Sequence, residues 1–380
     1  MWKRIIGGGI VSGAAMTMLA CLALATEPVK IGLVASHTGP GAESGRYQTQ
    51  GAELAVGEVN KAGGILGRQI ETVVEDDQTT NPGAVVAFEK LGEDKDIPAF
   101  LGPIRSTQIH AVAPDIQKLG KPVMIGGTDP ELTHMGNPWL FRFRPNDIYS
   151  ARVMGDFGVN SLGKKKWAIV HSMDEFGTSG MKNLVKVLNG MGVEPMLVRG
   201  YTNNLGVGAP STMAFLVKQS SADVVGTYMT LEPDLVVFAK QLSELGAPIT
   251  WIGSPSTVAT TALKLAGPTL YGSYSVVDFN RDASPAAKEF AVKYEAAYAS
   301  APDFFAAWAY DAVHVLALAV NNAESLEPQK IREAILNVKG YTGAEGTYNF
   351  DRNGDGLHSY NIVRNDNGKI VFEKHIEFND

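Results

Sequence analysis

Apolar and polar positions along the chain alternate in blocks of two kinds. Short β-branched runs are followed by longer stretches with helical spacing. "VKIGLVAS" (29–36) is the first such run. Over 47–64, Ala52, Ala55, Val56 and Val59 fall on one stripe, which predicts a helix. "QIETVVED" (69–76) reads as a strand again. A helix over 82–91, a strand over 97–101, a helix over 109–119, a strand over 121–127 and a short helix from Pro130 follow. Strands alternating with helices of this length predict βαβ units and a parallel sheet.

The pattern restarts after "FRFRPNDIYS" (141–150). Helices over 148–162, 178–190, 210–220 and 233–245 alternate with "KKWAIVHS", "VEPMLVRGY", "ADVVGTYM" and "PITWIGS", a second α/β unit of the same plan. A strand over 271–277 and helices over 285–299, 303–323 and 328–338 come next. The helix over 303–323 is apolar nearly all round, so it should be buried. The tail reads as β-hairpins, with Asn353-Gly354, Asp355-Gly356 and Asn367-Gly368 as turns.

The loops that follow the strands carry the candidate chemistry. "FLGPIRSTQI" (100–109) ends an apolar run in a glycine, a cation and two hydroxyls at the mouth of a helix. A plain helix cap explains Ser106 and Thr107 but not Arg105 beside them. Ligands of open parallel sheets sit at the carboxyl ends of strands, where helix N-termini favour anions. The segment therefore reads as an anion seat. "IGGTDPELTHMG" (125–136) repeats the plan one strand later, with Gly126, Gly127 and Thr128, and Thr128 or Asp129 is placed to cap the next helix. Neither loop offers the geometry of a nucleophile or a general base.

Three motifs come close to other chemistries and miss. Gly39, Gly41 and Gly45 give G-x-G-x-x-x-G, not the dinucleotide fingerprint. "GVNSLGKK" (158–165) puts Lys165 where a P-loop needs Ser or Thr. "DRNGDGLHSYNI" (351–362) opens like a calcium loop but has Ile362 where a bidentate Glu is required. The 7 histidines form no H-E-x-x-H pair. No metal and no cofactor are expected.

Length and composition add three constraints. A chain of 380 residues suggests two domains. Residues 1–25 have a basic start (Lys3, Arg4), an apolar stretch and Ala23-Leu24-Ala25, the plan of a secretory signal peptide cut after Ala25. Cys21, the single cysteine, is a competing lipidation site; cleavage at Ala25 leaves a chain with no thiol. That chain keeps 31 basic against 40 acidic residues, a net charge of −9, which argues against a nucleic-acid partner.

Taken together, "VKIGLVASHTGPGAESG", "NKAGGILGRQIETVVEDDQTTNP", "FLGPIRSTQIHAVAP", "VMIGGTDPELT", "FRFRPND", "WAIVHSMDEFGTSG" and "GTYNFDRNGD" resemble the periplasmic solute-binding proteins of ABC importers, Leu/Ile/Val-binding type. The resemblance spans nearly all of the chain after residue 26. It implies two Rossmann-like α/β lobes with parallel sheets, 26–144 plus 276–350 and 145–275 plus 351–380, joined by three hinge crossings. It implies a periplasmic monomer that binds a small carboxylate-bearing ligand and delivers it to a membrane permease. By the same likeness Ser106 and Thr107, in a register open by one, and Thr128 take the ligand carboxylate. The backbone at Gly126, beside Gly127, would take an ammonium. Phe176 and Phe305 are pocket aromatics, Ser44 replaces an aromatic wall, and Met229, Thr230 and Ser256 complete the second lobe's side.

Two departures from that family bear on the ligand. The loop "IGSPSTVA" (252–259) lacks the acid that amino acid binders usually carry there to pair the ammonium, and Glu232 or Asp174 are the acids that could substitute, though nothing in the sequence shows it. Arg105 adds a cation where many relatives have a neutral residue. Both favour an aromatic or aliphatic organic acid over leucine. The other classes weighed are a ligand sensor of the same fold acting on a regulator and an NAD-dependent dehydrogenase, which the failed fingerprint opposes.

Overall fold

The computed structural model describes residues 27–203 and 208–378. The signal-peptide and Cys21 readings lie outside them. Two sheets organise the chain. The first is all parallel, in the order β2-β1-β3-β4-β5. Its strands are β1 (Val29–Ala35), β2 (Ile70–Asp76), β3 (Phe100–Leu101), β4 (Val123–Ile125) and β5 (Leu140–Arg142). Alternate residues of β1 serve opposite faces. Ile31 and Leu33 join the core under α1 (Ala42–Lys61) and α11 (Phe304–Ala323), while Val34 joins the core under α2 (Asn81–Glu93) and α3 (Ser106–Leu119).

The second sheet has seven strands, β14-β13-β10-β9-β8-β6-β7. β6 (Trp167–Ser172), β7 (Leu197–Tyr201), β8 (Val224–Tyr228), β9 (Thr250–Gly253) and β10 (Tyr274–Val277) are parallel neighbours. The tail adds β13 (Ser359–Asp366) and β14 (Lys369–Glu377) antiparallel, so this sheet is mixed rather than purely parallel. Asn367-Gly368 makes the turn between them, both with positive φ, as a two-residue hairpin requires. A small hairpin, β11 (Lys339–Thr342) with β12 (Thr347–Asn349), precedes them, and further helices are α4 (Glu131–His134), α7 (Gly208–Gln219), α8 (Glu232–Glu244), α9 (Thr260–Ala266), α10 (Pro285–Tyr298) and α12 (Pro328–Leu336).

The chain leaves the first sheet after β5, and α5 (Asp147–Asp156) already packs on α6 (Glu175–Gly190) of the second. The return differs from expectation. Val276 and Val277 pair with Ile362 and Asn361, so they belong to the second sheet and the crossing follows Val277 rather than falling at the expected 275/276 boundary. The third crossing lies between β12 and β13, where Arg142 bridges Asp355. The 351–356 segment is this crossing, and it turns back on itself: the Gly354 N–H donates to the Asp351 carbonyl at 3.2 Å and the Asp351 N–H to the Asp355 carbonyl at 2.9 Å. Its carboxylates are used internally: Asp351 Oδ1 accepts from the Asn353 and Asp355 N–H groups, and Asp355 pairs with Arg142.

The glycine-rich segment serves packing. Gly45 sits inside α1, and a Cβ there would lie 1.7 Å from the Ser36 carbonyl oxygen. That contact lets α1 start at Ala42, earlier than the hydrophobic stripe alone indicated. As its composition demanded, α11 is buried along most of its length.

Candidate ligand site

In each sheet the first strand lies between the second and the third, so the strand order reverses beside β1 and beside β6. Crevices open at such switch points, at the carboxyl ends of the strands. Here the two crevices face one another across a single cavity. Ile104, Arg105, Ser106 and Thr128 line it from the loops after β3 and β4, and Phe304 and Phe305 from the start of α11. Phe176, Thr230, Pro255 and Ser256 line it from the loops after β6, β8 and β9, and Arg144 from the first crossing. The cavity holds about 40 Å³. An apolar cavity that accepts benzene measures about 150 Å³, so the two halves must part to admit a ligand of that size. A hydrogen bond from Ser179 Oγ of α6 to Asp129 Oδ1, 2.8 Å, ties them together in this form.

The cavity is cationic. Arg105 is 8% exposed and precedes α3 as its N-cap residue, and no side chain caps that helix. The first N–H groups of α3 are thus without a side-chain partner at the cavity wall, where an anion is favoured. By contrast, α6 and α11 are capped by Asp174 and Asp303, which accept from the Gly177 and Phe305 N–H groups. The Arg105 guanidinium donates to Ser36 Oγ and Ser44 Oγ, each at 2.8 Å, and its Nε has no partner. The second arginine, Arg144, lies over the Phe304 ring at 4.4 Å, donates to the Gly126 carbonyl (3.1 Å) and pairs with Asp278. None of the lining residues is Asp or Glu.

A family model described as periplasmic binding protein matches residues 28–369. The chain belongs to the periplasmic binding protein family. It is similar to the Leu/Ile/Val-binding protein BraC3 of Rhizobium johnstonii, 29% identical with 93% of this chain and 97% of the relative covered. An amino acid binding protein of Pseudomonas aeruginosa is 27% identical, with 93% and 94% covered. Among solved structures, a leucine binding protein of Thermotoga maritima superposes with a TM-score of 0.84 at 23% identity, covering 92% of this chain and 99% of that one. A solute binding protein of R. palustris in complex with benzoate gives 0.84 at 20% identity, covering 93% and 98%.

For this periplasmic binding protein, the structure brings Arg105, Ser106, Thr128, Phe176, Thr230, Ser256 and Phe305 to one cavity. It does not bring the rest. Thr107 turns away to Asn81, whose Nδ2 donates to its Oγ1 at 3.2 Å, so of the two hydroxyls Ser106 is the one that lines the cavity. Ser106 does not cap α3; its Oγ accepts from the Thr128 and Asp129 N–H groups, both 3.2 Å, which leaves its proton free for a ligand oxygen. The Gly126 carbonyl expected to take an ammonium already accepts from Arg144. A Cβ on Gly127 would meet Ile109 and Leu132, so that residue serves close packing. Met229 is in the core, and Ser44 acts behind Arg105 rather than on the cavity. Ile104, Arg144, Pro255 and Phe304 were missed. The signal for Arg144 was the Arg-x-Arg alternation of 142–144, which sends two cations to opposite sides of an extended segment.

Burial governs the carboxyls around the site. It pushes Glu232 up to about 7, Asp147 up to about 7 and Asp303 up to about 6, and Asp311 inside α11 up to about 7. Each then binds its proton more tightly folded than unfolded, so its contribution is full below about pH 4 and is lost as pH rises through about 6–7. Melting curves should show a higher Tm at pH 5 than at pH 8, with each group worth roughly 1–3 kcal/mol. A Tm that climbs steadily from pH 5 to pH 8 would contradict this.

Proposed function

We propose that this protein is the substrate-binding component of an ABC importer. In this reading it captures a small carboxylate-bearing ligand between its two halves in the periplasm, without chemistry, and presents the closed form to a membrane permease. The ligand is an aromatic or aliphatic organic acid. Arg105 carries the reading: it is a buried cation at the cavity wall with no carboxylate at ion-pair distance among the described residues. A ligand carboxylate there gains charge-assisted hydrogen bonds and the N-terminal field of α3. Phe176, Phe304, Phe305, Pro255 and Ile104 supply an apolar wall for the rest of the ligand. Relatives named for leucine and a relative holding benzoate share one chemical feature, the carboxylate. Closure follows from differential affinity: the ligand touches both halves only when they are together.

A zwitterionic amino acid is the second reading, favoured by Glu232. It is 2% exposed, two residues beyond Thr230, and its Oε1 has no partner. A thermal-shift panel separates the two. Organic acids such as benzoate and 3-methylbutanoate should stabilise the protein strongly and leucine weakly. Strong stabilisation by leucine with none by the acids would refute the first reading.

Thr128 tests the site's geometry from its other edge. Its Oγ1 donates to Asp147 Oδ2 at 2.9 Å and its N–H donates to Ser106 Oγ at 3.2 Å, so Thr128 anchors the loop that holds in place Ser106, the hydroxyl whose proton is free for the ligand. Thr128→Ala should weaken binding of the most stabilising acid by roughly 1–3 kcal/mol. Unchanged affinity in a calorimetric titration would remove Thr128 from the site.

A further inference from the structure

Three buried arginines stand in and around the cavity, and they are treated differently. Arg142 is paired with Asp355 at 2.8 Å, and Arg144 with Asp278. Arg105 is held by two serines instead, Ser36 at the end of β1 and Ser44 in the first turn of α1. A hydroxyl has one proton and two lone pairs. The Ser36 proton goes to Asp77 Oδ1, 2.6 Å away, and the Ser44 proton to the Gly41 carbonyl, 2.7 Å away. With both protons committed elsewhere, each oxygen can only accept from the guanidinium. Gly41 completes the cradle, since a Cβ there would lie 2.1 Å from Arg105 Nη2. The arrangement satisfies two of the guanidinium nitrogens and neutralises none of its charge. Asp77, fully buried behind Ser36, reaches the cation through that hydroxyl, and Glu232, also buried, feels Arg105 through space with no hydrogen bond between them.

We propose that Ser36, oriented by Asp77, and Ser44 are positioning residues that hold Arg105 as an un-neutralised cation and thereby set the cleft's preference for a carboxylate over its neutral analogue. This rests on the organic-acid reading above. A carboxylate in place of either serine would pair with Arg105 and compete with the ligand. An apolar residue would leave the guanidinium free to swing. The oriented hydroxyl does neither.

The test compares matched probes, benzoate with benzamide and 3-methylbutanoate with 3-methylbutanamide, by calorimetric titration of the full mature chain. Wild type should prefer each acid over its amide. Ser36→Ala/Ser44→Ala should lower that preference by about tenfold or more, through loss of acid affinity with amide affinity nearly unchanged. Asp77→Asn should act in the same direction with a smaller loss, and serves where the double variant does not fold. A purely structural role would weaken acid and amide alike and leave their ratio fixed. An unchanged ratio in variants of a wild type that does prefer acids would overturn the positioning role while leaving the organic-acid reading standing. A wild type that prefers neither acid would overturn that reading and the positioning role with it.

Discussion

Arg105→Ala is expected to weaken binding of an organic acid by about a hundredfold or more, the largest effect on affinity of any substitution in the cleft. Truncating one side of a buried, hydrogen-bonded charge pair costs about 2–5 kcal/mol. Two features place this site at the upper end. Arg105 is the one lining cation without an acid partner, so nothing else neutralises the ligand's charge as well. Its removal also leaves Ser36 and Ser44 with their lone pairs facing an emptied space, because their protons are held by Asp77 and Gly41. Arg105→Lys should recover part of the loss, since a point charge cannot reproduce the planar fork that both serines accept from. Titration with the acid that gives the largest thermal shift measures both. A loss below about threefold would mean that the anion sits elsewhere.

The largest effect on stability is expected from Asp355→Ala, about 3–5 kcal/mol, because it strands a buried charge. Arg142 is 0% exposed and donates through Nε and Nη2 to the two Asp355 oxygens at 2.9 and 3.2 Å. The same guanidinium donates to the Asp129 and Pro130 carbonyls and to Thr133 Oγ1. Asp355 in turn accepts from Thr133 Oγ1 at 2.7 Å, and although burial alone would raise it, Arg142 holds it below the usual carboxylate range. This network fastens the third crossing to the loop that carries Thr128 and Asp129. Urea unfolding of the variant measures the loss, and one below about 1 kcal/mol would show that water or a neighbour compensates the arginine.

The alternation of β-rich runs with helical stripes made both halves legible, because parallel βαβ units need a buried strand and an amphipathic helix in turn. The tail was read as hairpins, but its attachment antiparallel to β10 was not, since pairing between Val277 and Asn361 leaves no local pattern. Among the site residues, Arg105 and Ser106 were visible from the chain alone, as a cation and a hydroxyl where a strand meets a helix. Thr128 was visible as the hydroxyl of the next such loop, and Phe176 came from the resemblance. Ser106 and Thr107 could not be told apart, because which hydroxyl faces the cavity depends on where α3 begins, and it begins at Ser106. Ser44 was expected to border the ligand and instead stands behind Arg105, a contact of residues 61 apart in sequence.

The most direct test of the account is a crystal structure of the protein loaded with the acid that stabilises it most. The account predicts a carboxylate between the two halves, within hydrogen-bond distance of the Arg105 guanidinium and Ser106 Oγ, with its apolar body against Phe176 and Phe305. A ligand whose charged group meets an acidic side chain while Arg105 stays unengaged, or one seated outside the cleft, would contradict it.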